Sequence, residues 1–317
     1  MKKYYIQFST DFHLLASLAS IGDLSNSKVV LVGPKSNTAT LVAEKLSAEL
    51  LVADPRGAKL NPSKVLSLLT RAKWCKNCVI ISPFVFPSYV FVRLLEKGQL
   101  VTSIIRTDEG VGSYASIRHY YNSIKFESAQ KWRLHCAAKA LVKKTSVWLT
   151  GSLGICREQY MFNPDLSVDS LTIERFRRAI ELLGFRGGLN GKMVYISQPG
   201  ADTNFESAKL YSVFIRRLGE RVGLHDIVVK RHPADSFNYS EFGFEVVEGY
   251  PLELYTLQDS VVVGFSSTAL LMAKLVSHCG KVYYINAGGA GPAYHGLSSM
   301  NKRLFKFYLQ SLDCDVG

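Results

Sequence analysis

The sequence predicts an α/β protein built from two doubly wound, Rossmann-like domains in series that face each other across a deep cleft. Short apolar runs alternate with helix-length amphipathic stretches along most of the 317 residues, as parallel strands joined by crossover helices do. The alternation lapses over residues 156 to about 168, is loosened again by Gly184, Gly187, Gly188 and Gly191, and then resumes, which marks a passage between two domains. Several apolar runs end abruptly in polar or charged groups, and strand ends of this kind are where open parallel sheets hold their ligands. The expected division is 1–157, a linker with a helix over 158–190, a second domain over 191–300, and a closing helix over 301–317.

Each element follows from local pattern. Tyr4–Phe8 reads as a strand, followed by a helix over Phe12–Ser20 for which Ser9 or Thr10 can supply the cap. Val29–Gly33 is a strand with a helix over Asn37–Ala48, and Leu50–Ala53 is the next strand. Helices are expected over Pro62–Ala72 and Ser88–Glu96, with strands at Val79–Pro83, Val101–Arg106 and Ser146–Thr150. In the second half, helices are predicted over Leu171–Leu183, Asn204–Leu218, Pro251–Leu257 and Lys302–Leu312. The strands there are Met193–Ser197, Ile227–Lys230, Phe244–Val247, Ser260–Gly264 and, last, Lys281–Ile285, with Ser266, Ser267 and Thr268 opening a helix.

With 47% hydrophobic residues the chain can bury full cores, and its net charge of +12 asks for an anionic partner. Phosphate-bearing substrates, anionic membrane surfaces and nucleic acid all satisfy that, but no nucleic-acid-binding module is recognisable. Six cysteines at irregular spacing are not a disulfide framework. The N-terminus lacks a signal-peptide pattern, and no apolar run is long enough to cross a membrane. The expected compartment is the cytoplasm, with peripheral contact on the inner face of the cytoplasmic membrane left open. Lys302, Arg303 and Lys306, interleaved with Leu304, Phe305 and Phe307, offer a candidate patch for it, although an ordinary amphipathic helix explains them as well.

The chemistry-bearing groups stand at strand ends. Val228-Val229-Lys230-Arg231-His232-Pro233 is an apolar strand stopped by two cations, an imidazole and a proline. A buried histidine at a turn is the structural alternative. Asp108-Glu109-Gly110 also follows an apolar run, with Gly112-Ser113-Tyr114 behind it. A carboxylate there can take a proton from an attacking hydroxyl, and the structural alternative is a turn. Gly264-Phe265-Ser266-Ser267-Thr268 joins a strand to a helix start, which makes either an anion site or a plain N-cap. Pro251-Leu252-Glu253 puts a carboxylate in a first helical turn, to complement its dipole or to hold ribose hydroxyls. No metal site is expected: Cys75 and Cys78 have no second pair, and Asp313-Cys314-Asp315 lies at the chain end. Gly187–Lys192 is too short for a phosphate loop and leads into a strand.

Taken together, Asp108-Glu109-Gly110, His232-Pro233, Ser266-Ser267, Pro251-Leu252-Glu253, Ser197-Gln198-Pro199 and the opening Thr10-Asp11-Phe12-His13 resemble bacterial two-Rossmann-domain (GT-B) sialyltransferases. The likeness is nearest to the lipooligosaccharide sialyltransferases of glycosyltransferase family 52 and the capsular polysialyltransferases. It implies an inverting, metal-independent transfer of sialic acid from CMP-Neu5Ac to a hydroxyl, a galactoside of a lipopolysaccharide, O-antigen or capsule glycan, on an acceptor that can be lipid-linked. CMP-sialic acid would be a co-substrate, with no cofactor. By the resemblance Asp108 would be the base, with Glu109 as the competing acid, and His232 would meet the departing phosphate as acid or electrostatic partner. Lys230 would lie near cytosine, Glu253 at the ribose, Ser266 and Ser267 at the phosphate, with Gln198 and Pro233 also on the donor side. Gly110, Ser113, Tyr114, Thr10 and His13 would face the acceptor. Two alternatives stay open: a GT-B transferase using another CMP-nonulosonate, CMP-Kdo or a UDP-sugar, and a non-catalytic polyanion-binding protein.

Overall fold

The computed structural model describes residues 2–24, 26–52, 73–74, 78–83, 99–100, 103–107, 141, 156–158, 170–265, 267–287 and 299–314. Among these, residues up to Leu183 form one compact unit and residues from Gly184 form a second.

The first unit is a six-stranded parallel sheet. Its elements are β1 (Lys2–Gln7), α1 (Asp11–Ala19), β2 (Ser27–Gly33), α2 (Asn37–Leu46), β3 (Glu49–Val52), β5 (Cys78–Ser82), β7 (Ser103–Arg106), β8 (Cys156–Glu158) and α3 (Ser170–Leu183). A separate two-stranded pair joins β4 (Lys73–Trp74) to β6 (Gln99–Leu100). The sheet order is β3–β2–β1–β5–β7–β8. The first strand is central, the next two lie to one side and the later three to the other, which is the doubly wound arrangement. Thr10 supplies the α1 cap, its hydroxyl accepting the His13 N–H, and Ser36 caps α2 in the same way. Gly33 is required at the end of β2, because a Cβ there would stand 2.6 Å from the Phe8 carbonyl oxygen and 2.8 Å from its ring. Helix α3 belongs to this unit. It packs on α1 and α2, and its buried Phe176 stacks on Phe12.

The second unit repeats the arrangement with β10 (Met193–Ile196), α4 (Ala208–Val222), β11 (Ile227–Lys230), β12 (Glu245–Val247), β14 (Val261–Gly264), α5 (Thr268–Leu275), β15 (Lys281–Ala287), α6 (Ser299–Tyr308) and β16 (Gln310–Cys314). Its order is β12–β11–β10–β14–β15–β16, and all its strand pairs are parallel. A small pair joins β9 (Gly187–Gly188) to β13 (Tyr255–Thr256). The core on one face gathers Tyr195, Tyr211, Phe214, Ile215, Phe237, Tyr239 and Phe265, and aromatic rings supply much of its buried area.

Five expectations shift. Cys156–Glu158, placed in the structureless passage, is an edge strand paired with Ile104–Arg106. The helix expected from Asn204 begins at Ala208: Phe205 is extended and Ser207 is the N-cap, accepting the Leu210 N–H. The helix expected over Pro251–Leu257 is a single 3-10 turn, Leu252–Leu254, because Tyr255 and Thr256 pair with Gly187 and Gly188. The last helix ends at Tyr308, and Gln310–Cys314 continues as a strand, so Lys281–Ala287 is not the final one. Within α6, Leu304 and Phe305 are core residues, whereas Arg303, Lys306 and Phe307 are exposed. The helices expected over Pro62–Ala72 and Ser88–Glu96 and the strand over Ser146–Thr150 lie outside the described residues.

Candidate functional site

The carboxyl edge of the second sheet brings together most of the predicted donor-side residues. Because β10 leads to α4 on one side and its neighbour β14 leads to α5 on the other, the loops after β10 and β14 diverge and leave a crevice. Gly264 keeps the two strands close at this point. A Cβ on it would lie 3.0 Å from the Ile196 Cβ and 3.1 Å from the Ile196 oxygen.

Three strand ends border this crevice. After β10, Ser197 is fully buried, and its N–H donates to the Lys230 oxygen at 3.2 Å. Gln198 begins the following turn and is half-buried. After β11, Arg231 pairs with Glu248 at 2.8 Å, and Lys230 Nζ lies 3.5 Å from the Val247 oxygen. After β14, Ser267 caps α5, its hydroxyl accepting the Ala269 N–H at 3.2 Å. That bond makes Ser267 a true N-cap, and the start of a capped helix also suits an anion. Ser266 lies outside the described residues.

His232 is held by its backbone. Its N–H donates to Ser197 Oγ at 2.9 Å, and its carbonyl accepts the Asp235 N–H at 2.9 Å. The ring is engaged at one nitrogen: the Ala234 N–H donates to Nδ1 at 3.1 Å. A neutral imidazole with Nδ1 as acceptor carries its proton on Nε2, so the ring offers an N–H donor from its far side. Partial burial lowers the His232 pKa from its ordinary value; nearby Asp235 opposes this and Lys230 adds to it. Pro233 beside it is exposed.

Beneath this turn runs a buried polar chain. Asp235 accepts the Phe237 N–H at 3.1 Å on Oδ1 and the Tyr239 hydroxyl at 2.8 Å on Oδ2. Tyr239 lies 3.1 Å from the Tyr211 hydroxyl, which lies 2.9 Å from that of Tyr195. Each phenol has one proton. Since Tyr239 gives its own to Asp235, Tyr211 must donate to Tyr239 and Tyr195 to Tyr211. Burial pushes all three phenol pKa values up, so the chain stays protonated.

Glu253 is buried in the 3-10 turn that packs against α5. The β9 segment pins that turn, the Arg186 N–H donating to the Leu254 oxygen at 2.8 Å and the Leu189 N–H to the Thr256 oxygen at 2.9 Å. Lys192, in the glycine-rich stretch set aside as a phosphate loop, bonds Glu245 at 2.7 Å, well within an ordinary ion pair.

In the first unit, Asp108, Glu109, Gly110, Ser113 and Tyr114 lie outside the described residues. Thr107, just before them, is buried, and its N–H donates to the Ser82 oxygen at 3.1 Å. Of the two predicted acceptor-side residues that are described, Thr10 is engaged as the α1 cap. His13 is buried, with Nδ1 3.0 Å from the Ser9 hydroxyl. The next residue after the cap, Asp11, accepts Ser36 Oγ at 2.6 Å and Thr38 Oγ1 at 2.8 Å, tying α1 to α2. Among the described residues no cluster of three or more His, Cys, Asp or Glu forms a metal-binding group, and no helix is long and apolar enough to cross a membrane.

Sequence reasoning did not identify two contributors, the anchoring role of Ser197 and the Asp235–tyrosine chain. The first was visible only as part of the Ser197-Gln198-Pro199 strand end. The second carried no signal, since its members sit on different elements and each reads as ordinary core.

No protein-family model matches the chain, and no curated protein resembles it in sequence. Solved structures resemble it in fold. A 2,6-sialyltransferase from Vibrionaceae Photobacterium sp. JT-ISH-224, in complex with donor product CMP and acceptor substrate lactose, superposes with a TM-score of 0.53 at 11% identity, covering 98% of this chain and 78% of that one. A UDP-GlcNAc 2-epimerase from Methanocaldococcus jannaschii gives 0.47 at 9% identity over 99% and 89%. The heptosyltransferase WaaC from E. coli gives 0.40 at 12% identity over 100% and 91%. With two doubly wound parallel-sheet units of the same strand order, the chain has the two-Rossmann-domain GT-B fold that it shares with the Photobacterium enzyme.

Proposed function

We propose that this protein is a GT-B glycosyltransferase acting on a nucleotide-sugar donor, and more finely an inverting sialyltransferase that uses CMP-Neu5Ac and a galactoside hydroxyl of a bacterial surface glycan. The observation that carries the reading is His232. It stands, partly exposed, at the carboxyl edge of a doubly wound sheet, and its Nδ1 accepts the Ala234 N–H, which leaves Nε2 to carry the proton of the neutral ring. The capped start of α5 opens on the same edge. Fold similarity to an enzyme whose structure holds CMP and lactose supports the donor and acceptor classes.

In this reading the acceptor oxygen attacks the anomeric carbon of sialic acid as the bond from that carbon to the phosphate oxygen of CMP breaks. The acceptor proton passes to Asp108, with Glu109 as the competing base. The negative charge gathering on the departing phosphate is met by the Nε2–H of His232 and by the α5 N-terminus with Ser266 and Ser267. The lowered pKa keeps His232 neutral near pH 7, so its contribution is a fixed hydrogen bond more than a donated proton. Glu253 holds the ribose, and Lys230, Gln198 and Pro233 line the nucleotide side. The acceptor side belongs to Gly110, Ser113, Tyr114, Thr10 and His13.

The test is turnover of CMP-Neu5Ac with lactose. Sialyllactose is expected, with kcat lowered by about two to four orders of magnitude in Asp108→Ala and in His232→Ala. CMP binding measured by calorimetry without turnover of CMP-Neu5Ac would move the donor to another CMP-sugar. No CMP binding would end both readings.

A further inference from the structure

We infer that Asp235 and Tyr239, backed by Tyr211 and Tyr195, are positioning residues for His232, fixing the turn and the ring tautomer with which it meets the donor phosphate. This rests on the proposed role of His232 and deepens it.

The chain of contacts is continuous. Asp235 grips the turn from inside: its N–H closes the loop on the His232 carbonyl at 2.9 Å, while its carboxylate takes the Phe237 N–H and the Tyr239 hydroxyl. A carboxylate that accepts two such bonds has little freedom to rotate. Tyr239 is held by Tyr211 on α4, and Tyr211 by Tyr195 on β10. Since Ser197, the residue directly after β10, supplies the hydroxyl that accepts the His232 N–H, the turn is anchored at two points along the same stretch of chain. Ala234 lies between His232 and Asp235, and its N–H is the donor that fixes Nδ1. Any drift of Asp235 therefore moves the group that sets the tautomer.

Three hydroxyls and a carboxylate in one apolar core cost desolvation that phenylalanine would avoid, and the cost is offset only because each is satisfied. A core needing bulk alone would not need this order of donors. Among the described residues, the charges that act on His232 are Lys230, at the end of β11, and Asp235, in its own turn. Neighbouring Arg231 is paired with Glu248 beyond β12, and Ser197, directly after β10, is uncharged.

The experiment is a pH titration of the ligand-free full chain, labelled with carbon-13 and nitrogen-15 histidine, followed by NMR for wild type, Tyr239→Phe and Asp235→Asn. Wild type should show the Nε2–H tautomer of His232 at pH 8. Tyr239→Phe keeps the charge of Asp235 and should give a mixture of tautomers. Asp235→Asn removes an attracting charge and should move the His232 titration to lower pH. In CMP-Neu5Ac turnover, Tyr239→Phe should lower kcat about tenfold or more with KM within about twofold, as small misplacements of a reacting group do. If Asp235→Asn does not fold, Tyr239→Phe decides alone. A folded Tyr239→Phe with an unchanged His232 tautomer overturns the inference whatever its activity. Wild type without turnover ends the sialyltransferase reading instead, while the NMR comparison still decides the positioning role.

Discussion

At the residue scale, one glycine sets how close the two central strands of the donor-side sheet come. Gly264 has φ outside the left-handed region, so its requirement is space and not backbone freedom. A methyl group there must displace Ile196, whose backbone oxygen lies 3.1 Å from the Cβ position, and backbone cannot swing aside as a flexible side chain can. Gly264→Ala should destabilise the protein by about 1 to 3 kcal/mol, measured by urea unfolding, and should weaken CMP binding by splaying the crevice. Sequence alone located the point where the strand Ile227–Lys230 ends in charge. Lys230-Arg231-His232-Pro233 was legible because an apolar run that stops in charge has few structural excuses. Asp235 was not legible. Its importance comes from a tyrosine on α4 and another on β10, and sequence distance hides that convergence.

At the element scale, strands and helices were legible in proportion to their apolar periodicity. The central strands β1, β2, β10, β11 and β14 each contain an unbroken apolar run (Tyr4–Ile6, Val29–Val32, Met193–Ile196, Ile227–Val229 and Val261–Val263), as strands covered on both faces do, and they fell within a few residues of expectation. The edge strands β8 and β16 are Cys-Arg-Glu and Gln-Ser-Leu-Asp-Cys. An edge strand has one neighbour and much solvent, so polar residues cost it little and periodicity gives no warning. Helix starts failed for a different reason. Asn204 and Ser207 are both good caps, and Ser207 wins because Phe205 packs its ring 5.0 Å from both Tyr211 and Phe214, which holds the preceding chain extended. Ser207→Ala removes the oxygen that accepts the Leu210 N–H. It should cost about 1 kcal/mol, seen as a lowered urea midpoint with an unchanged slope.

At the scale of the whole molecule, the two units share one strand order; the alternation of strands and helices was legible in the sequence, whereas the order of the strands was not. What alternation does not encode is which sheet a helix covers. The segment over Ser170–Leu183 read as an amphipathic helix within a connecting stretch, and it packs on α1 and α2 of the first unit. Its apolar stripe announced a buried face without naming the partner.

The central placement of the earliest strand in each sheet also governs how the molecule opens. In the second unit β10 is paired along its whole length on both sides, to β11 and to β14, whereas among the described residues β12 pairs with β11 alone. Amides of Val194 and Tyr195 can meet solvent only when the sheet comes apart, so their hydrogen exchange should report the global unfolding free energy. Those of Glu245 to Val247 need only the margin to fray and should exchange much faster. Deuterium uptake followed by mass spectrometry checks the ranking, and equal rates at the two strands would contradict it. The strand that carries Tyr195 and leads into Ser197 would then be the slowest-breathing part of its unit, so the imidazole at the crevice is moored to the least mobile timber of the frame.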